Sequence, residues 1–402
     1  MRGDKDFWRA HKVIRASWIY RMPTRVIDIE LNAPLPTPVV LHDETALLAL
    51  VRQHGRPIGQ ARVMATGGAI TLAELRAAIE SQVCQLEAIE PESITSPAPI
   101  SIVVCTRDRP NLLRTCLEAL RLQAAEGHQI IIVDNAPSSD ATFRLIEQYP
   151  YRYVCEPTPG LNYARNLGTA FAMHDIVAFT DDDCVPDQGW LRGLAVPFQD
   201  EQVGAVTGLV MPLELDTLAQ EHFETYCANR RVFQPRSYRA PQTPPAAAGM
   251  AGMGANMAFR RALLRRLGGF DVRFDCGTPT RSGGDTEMFA RVLDAKMTIV
   301  YRPDALVWHR HCRDMVRLRR IIFGYGVGLY AVLSKRLLED HDRDAYVIAI
   351  RWLVGPPLKA ACDWLRGGPA TAPDLVWCEF WGALQGPWRY LAARHRAPQP
   401  VR

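Results

Sequence analysis

Three consecutive aspartates, Asp181-Asp182-Asp183, directly follow the apolar run Ile176-Val177-Ala178-Phe179-Thr180. Such a run reads as a buried strand, so the carboxylates emerge together at its carboxyl end. Adjacent like charges repel unless a cation sits among them. A divalent ion with hard oxygen ligands, Mg2+ or Mn2+, relieves the repulsion and can bridge a diphosphate. The competing reading is an acidic turn before a helix over residues 186–198, where aspartates favour the helix N-terminus. A second constellation, Arg281-Ser282-Gly283-Gly284-Asp285-Thr286-Glu287, opens an amphipathic helix with two carboxylates. Read alone, stabilisation by the helix dipole accounts for them. His309 and His311 follow a short predicted strand; a lone histidine is more often structural, yet neutral imidazole is an acceptable ligand for Mn2+.

Positioning these groups requires a sheet. Apolar runs at residues 100–105, 129–133, 151–155 and 176–180 alternate with helical segments, which predicts a largely parallel α/β sheet. In such sheets ligands bind beyond the carboxyl ends of the strands. The residues found there are Thr106-Arg107-Asp108-Arg109, Asp134-Asn135, Glu156 and the aspartate triplet. Upstream, residues 25–90 read as a small α+β domain. Ile27, Ile29 and Leu31 alternate with Asp28 and Glu30, two further strands flank His54-Gly55-Arg56-Pro57, and Thr71 with Glu74 forms a capping box for a helix reaching about Leu86. A proline-rich linker spans 91–99. The expected order is a basic segment at 1–24, the α+β domain, the linker, a catalytic domain at 100–312 and a helical region at 313–402.

A chain of 402 residues suits two or three units of roughly 100–200 residues. With 48% hydrophobic and 22% charged residues it is globular rather than disordered. A net charge of +4 gives no reason to expect a nucleic-acid partner. The ten cysteines include no CxxC pair, which suggests a reducing compartment. Charges recur too often in the first residues for a signal peptide. The longest apolar run, 321–333, falls short of the roughly 18–20 residues that cross a bilayer, so no transmembrane helix is predicted. The expected location is cytoplasmic, or peripheral on the inner face of the plasma membrane.

In order and spacing, Pro99-Ile100-Ser101-Ile102-Val103-Val104-Cys105-Thr106-Arg107-Asp108-Arg109-Pro110, Ile132-Val133-Asp134-Asn135, Gly160-Leu161-Asn162-Tyr163-Ala164-Arg165-Asn166 and the triplet resemble family 2 glycosyltransferases. The resemblance covers about residues 99–310. It implies a GT-A fold, a mixed and mainly parallel sheet flanked by helices, and sugar transfer from a UDP-, GDP- or dTDP-sugar to a glycan or lipid-linked acceptor. By the same resemblance Thr106, Asp108 and Asp134 contact base and ribose, with Arg107 and Asn135 beside them, and Arg165 lies near the diphosphate or the aspartates. Asp183 is the expected metal ligand for Mn2+ or Mg2+, Asp181 and Asp182 hold the ribose or support the metal site, and His309 completes that site. Met253-Gly254-Ala255-Asn256 resembles the strand that closes the donor pocket, with Gly254 allowing close approach. Asp285 matches the base that deprotonates the acceptor. The common pattern has Glu-Asp where this chain has Gly284-Asp285, which leaves Glu287 as the candidate second carboxylate. One base without a second nucleophile fits a single in-line displacement with inversion.

Beyond residue 312, Arg313, Arg317, Arg319, Arg320, Lys335 and Arg336 flank Ile321-Ile322-Phe323, Tyr325, Leu329 and Tyr330. This suits an anionic membrane surface, and equally a helix packed on the catalytic domain. Trp352, Trp364, Trp377, Trp381 and Trp388 either mark an interfacial face or fill a small core. Ile348-Ala349-Ile350-Arg351-Trp352 lacks the glutamine of the Gln-x-x-Arg-Trp motif of processive synthases, which favours single addition. Two rival readings remain at this level. A nucleotidyltransferase acting on sugar phosphates would ordinarily carry a glycine-rich loop after the first strand, and Thr106–Pro110 is not one. A catalytically weak nucleotide-sugar-binding protein is suggested by the missing glutamate before Asp285.

Overall fold

The computed structural model describes residues 23–36, 38–65, 67–83, 98–228, 231–365 and 372–396. Residues 1–22 of the basic N-terminal segment, most of the proline-rich stretch and the Trp364 side chain lie outside these residues, and Thr24, expected in that segment, opens the first strand.

The first unit contains β1 (Thr24–Glu30), β2 (Val39–Val40), β3 (Ala46–Gln53), β4 (Arg56–Met64) and β5 (Ala69–Ile70). β3 lies between parallel β1 and antiparallel β4, and β2 pairs with β5. Ala46-Leu47-Leu48-Ala49-Leu50-Val51 is apolar without alternation because both of its faces are covered. Leu47, Ala49 and Val51 pack with Leu75 and Ile79 of the Leu72–Gln82 helix, whereas Leu50 packs with Leu209, Met211 and Leu306 of the next unit. The Thr71–Glu74 capping box forms, and the helix stops at Gln82 rather than near Leu86. Ionic contacts reinforce the docking: Arg52 reaches Asp187 at 2.7 Å and Arg62 reaches Glu221 at 2.6 Å.

The large sheet is formed by β6 (Ile100–Thr106), β7 (Gln129–Asn135), β8 (Arg152–Glu156), β9 (Ile176–Asp181), β10 (Cys184–Pro186), β11 (Val203–Pro212), β12 (Arg236–Tyr238), β13 (Asn256–Arg260) and β14 (Thr298–His309). Its order is β10-β14-β11-β13-β9-β6-β7-β8, with β12 also on β14. β8, β7, β6 and β9 are mutually parallel, so their carboxyl ends open on one side. β13 runs antiparallel between β9 and β11, which makes the sheet mixed. Alternate side chains of β6 feed opposite cores, Ile102 and Val104 on one face and Val103 and Cys105 on the other. Two expectations are corrected. The strand expected to precede His309 is long, 12 residues, and includes His309 as its last. The helix expected at 186–198 shrinks to Trp190–Ala195 and a 3-10 turn at Val196–Gln199, because Cys184–Pro186 pairs with β14 as a strand.

Three helices follow: Met315–Leu338, Asp344–Leu365 and Pro373–Arg396. The apolar run at 321–333 sits inside the first, which by length and composition is sufficient to cross a membrane; 56% of its apolar window is buried within the protein. Ile322, Val327, Ala331 and Val332 are core residues here.

Arg52 is nearly buried between Asp28 and Asp187. Replacing it by methionine breaks the pairing across the two units, so Arg52→Met is expected to cost about 3 kcal/mol, read from the urea midpoint at unchanged slope. A change within about 0.5 kcal/mol would show that apolar packing alone holds the units together.

Candidate active site

β9 delivers Asp181 at its last residue and the chain then turns through Asp182 and Asp183. Asp182 is fully buried. Thr106 Oγ1 donates to its Oδ2 at 2.6 Å, and Arg109 Nη2 lies 2.8 Å from its Oδ1. Arg109 Nη1 also donates to Asp183 Oδ2 at 3.1 Å, so one guanidinium spans two carboxylates. Even so, burial pushes the Asp182 carboxyl up to about 7, and burial followed by the Asp183 charge raises Asp181. The cluster carries more negative charge than its own cations offset, as a cation site does. Asp183 Oδ1 is buried without a hydrogen-bond partner and faces His309 Nε2 at 3.4 Å. With Cys184 Sγ these donor atoms lie within 4.8 Å of one another. Burial raises the Cys184 thiol well above its ordinary value, so it remains protonated, and the hard donors are Asp183 and His309.

A relay from the protein interior orients His309. Glu224 is buried and clasped by Arg231 at 2.6 and 3.0 Å. Against the effect of burial, that guanidinium holds the Glu224 carboxyl well below the usual range, so it only accepts. His311 Nε2–H donates to it at 3.3 Å, while burial lowers His311 to about 4 and keeps the ring neutral. His311 Nδ1 must therefore accept, and His309 Nδ1–H donates to it at 2.8 Å. His309 Nε2 is left with a lone pair directed at Asp183, the arrangement a metal ligand requires. Phe223 packs edge-on against His311 at 4.7 Å. Glu224 and Arg231 carried no sequence signal, since they lie far along the chain from the histidines.

On the other side of Asp181, the Gly284–Asp294 helix begins after Gly283, which adopts φ 97°. Its Asp285 Oδ2 accepts from Gly254 N–H and Oδ1 from Thr286 N–H, both at 2.7 Å. Burial, then the neighbouring Asp275 charge, raises the Asp285 carboxyl. Arg165 is buried, donating to Asp275 at 2.6 Å and Asn162 at 3.0 Å. A Cβ on Gly254 would lie 2.7 Å from Arg165 Nη2 and 3.2 Å from Asp285 Oδ2, so the expected close approach is made by these two side chains. A Cβ on Gly284 would lie 2.4 Å from Asn162 and 2.5 Å from Asp275, which leaves no room for the glutamate of the common pattern. The carboxylate beside Asp285 is thus Asp275. Glu287 is not brought to the crevice. Two residues on, it points some 200° away around the helix and pairs with Arg291 at 2.6 Å and Lys335 at 3.1 Å.

At the other edge Thr106 and Asp134 are cross-strand partners. Asp134 accepts from Tyr153 Oη at 3.1 Å, its Oδ1 has no close partner among the described residues, and burial raises its carboxyl against the opposing hydrogen bonds of Tyr153 and Thr142. Asp108, at φ 54°, accepts from the Ser138 amide and hydroxyl at 2.8 Å, contacts that lower its carboxyl. Arg107 is half exposed, 3.8 Å from Asp108, and does not join the cluster. Asn135 spends its amide on the loop, donating to Thr158 O at 2.7 Å and accepting from Gly160 N–H at 2.8 Å.

Residues 101–268 match the model for Glycosyl transferase family 2. That stretch resembles the family 2 glycosyltransferases and contains most of the mixed, mainly parallel sheet. The chain is 27% identical over 249 residues to the pre-mycofactocin glycosyltransferase of Mycobacterium tuberculosis, covering 60% of this chain and 49% of that protein, about half its length. It is 24% identical over 304 residues to glycosyltransferase AglE of Haloferax volcanii, covering 71% and 94%. A mannosyltransferase from Pyrobaculum calidifontis, solved in complex with GDP-Man and Mn2+, aligns with a TM-score of 0.49 at 18% identity over 76% of this chain and 90% of its own.

His311→Ala removes the group that fixes the His309 tautomer. Mn2+ binding, followed by the paramagnetic resonance signal of free Mn2+, is expected to weaken about 10–100-fold. An unchanged affinity would mean that His309 is oriented without the relay or is not a ligand.

Proposed function

We propose that the protein is an inverting glycosyltransferase that moves one sugar from a nucleotide-diphosphate sugar to a hydroxyl group of a glycan or lipid-linked acceptor. The observation that carries this reading is the placement of Asp285: a buried carboxylate with a raised proton affinity, held by two backbone amides, beside the same buried Arg165 whose charge also acts on Asp181. A base poised nearer neutrality removes a hydroxyl proton more effectively than an ordinary exposed aspartate. Asp285 takes the acceptor proton, the acceptor oxygen bonds to the anomeric carbon, and the bond to the diphosphate breaks with its electron pair leaving on the nucleotide. Attack from one face and departure from the other inverts the centre. Asp183 and His309 are the residues that would hold Mn2+ or Mg2+, whose charge stabilises the leaving diphosphate. Asp134, with an unsatisfied oxygen, and Asp108 accept from base or ribose, and Thr106 holds Asp182 in place.

Thermal unfolding with UDP, GDP, dTDP and CMP, each with and without Mn2+, tests the donor site. A Mn2+-dependent rise for one nucleoside diphosphate, lost in Asp183→Ala, is expected. Asp285→Asn should retain that rise and lose about 100-fold or more in kcat. Pyrophosphate release from a nucleoside triphosphate and a sugar phosphate would instead favour a nucleotidyltransferase.

The location we propose is the inner surface of an anionic membrane. Trp377, Trp381 and Trp388 are 61%, 56% and 73% exposed and share one stripe of the Pro373–Arg396 helix with Leu384. The preceding helix exposes Tyr346, Val347, Ile350, Val354 and Leu358, together with the cations Arg351 and Lys359. Tryptophan and basic residues around an apolar face are what a headgroup region accommodates. Co-sedimentation with phosphatidylglycerol vesicles is expected, with weaker recovery on phosphatidylcholine and loss in a Trp377→Ser, Trp381→Ser, Trp388→Ser variant. A dimer in solution that this variant dissociates would reassign the face to a second copy.

A further inference from the structure

We infer that Arg281 and Arg389 bind the phosphate group of an amphiphilic acceptor, beside the base and outside the donor crevice; this deepens, and rests on, the reading of Asp285 as the base. The two guanidiniums come from distant parts of the chain and lie over the same Phe323 ring, 5.3 and 5.5 Å from its centre. Bringing like charges together is unfavourable unless an anion shares them. Neither has a carboxylate partner among the described residues. Arg389 donates only to uncharged oxygens, Gln385 Oε1 at 3.1 and 2.9 Å and Pro279 O at 3.5 Å. Burial, then the charge of Arg281, lowers its proton affinity below the ordinary value. Arg281 is also kept at φ 64°, a conformation that costs a residue with a side chain.

With Gly277, Thr278, Pro279 and Ala392 the two arginines line an open groove of about 410 Å³. Paired guanidiniums match the oxygens of a phosphate, to which they offer forked, charge-assisted hydrogen bonds. The position of the groove selects the kind of phosphate. Arg281 lies four residues before Asp285. On the Pro373–Arg396 helix, at about 100° per residue, Gln385, Arg389 and Ala392 form the stripe next to the exposed tryptophans. An acceptor whose hydrocarbon chain rests on those tryptophans therefore places its phosphate in the groove and the part bearing its hydroxyl toward Asp285.

Octyl phosphate is the probe, titrated calorimetrically into the full chain with EDTA present so that no divalent ion recruits phosphate to the donor site. The Arg281→Ser, Arg389→Gln variant is expected to bind it at least about 10-fold more weakly, the effect of losing one charge-assisted hydrogen bond. Octyl glucoside, which lacks the charge, should not displace it. Equal binding by both proteins, or none by the wild type, would overturn the assignment. Displacement by an equal concentration of inorganic phosphate would overturn the amphiphilic part and give the groove to free phosphate. The nucleotide thermal shift reports separately on the donor site. Its absence in the wild type would sink the glycosyltransferase reading, whereas its presence beside failed octyl phosphate binding would sink only this inference.

Discussion

The carboxylates of Asp181, Asp182, Asp183, Asp275 and Asp285 crowd one end of a buried sheet, and the architecture around them divides that charge. Arg109 enters after β6 and bridges Asp182 and Asp183. Arg165 enters from the Leu161–Phe171 helix and holds Asp275. His309 arrives at the end of β14 opposite Asp183. Each of these three groups comes from a different element, so the acidic centre is assembled only when those elements come together. The compensation is incomplete, since burial still raises Asp181, Asp182 and Asp285. That remaining excess makes the centre sensitive to charge, because an added positive charge or a bound proton changes its energy strongly in a poorly solvated setting.

The first unit is connected to the same centre. Gln60 of β4 accepts from Arg231 at 2.9 Å, and Arg231 clasps the Glu224 that sets the His311 and His309 tautomers. A small sheet therefore braces the His309 side of the site. Leu50 buries against β11 and β14, and Arg52 and Arg62 pair with acids of the catalytic unit, which makes docking largely apolar with ionic contacts at its margin. At the opposite side, Glu287 performs a comparable service. Its pairs with Arg291 and Lys335 tie the helix bearing Asp285 to the Met315–Leu338 helix, so a carboxylate whose sequence position suggests catalysis serves to place the one that faces the crevice.

The C-terminal helices combine two demands. Met315–Leu338 is apolar because it is a core element, packed by Leu318, Ile322, Ala331 and Val332. The two helices laid over it bury one side and leave tryptophan and aliphatic side chains outward. Composition alone does not separate these cases, because a buried helix and a lipid-facing one draw on the same residues.

Much of this centre was legible from order along the chain. An apolar run followed by polar residues marks a strand end, and such ends on parallel strands converge by topology, so Thr106, Asp134 and Asp183 could be singled out from local pattern, whereas Asp285, at a helix start, was reached only through the resemblance to the family. The Thr71–Glu74 cap was legible for the same reason, being complete within four residues. Tertiary structure decided what depends on groups remote in sequence. Arg109 rather than Arg107 turned inward because the strand end and helix start orient it toward Asp182. Asn135 became a loop clamp, Asp275 occupied the space that Gly284 leaves, and Glu224 with Arg231 set a histidine tautomer. Side-chain direction, burial and the identity of a distant partner carry no local periodicity. The sequence by itself determined which elements form and which chemistry-bearing residues stand at their ends; only packing decided which of those residues meet, and with what charge.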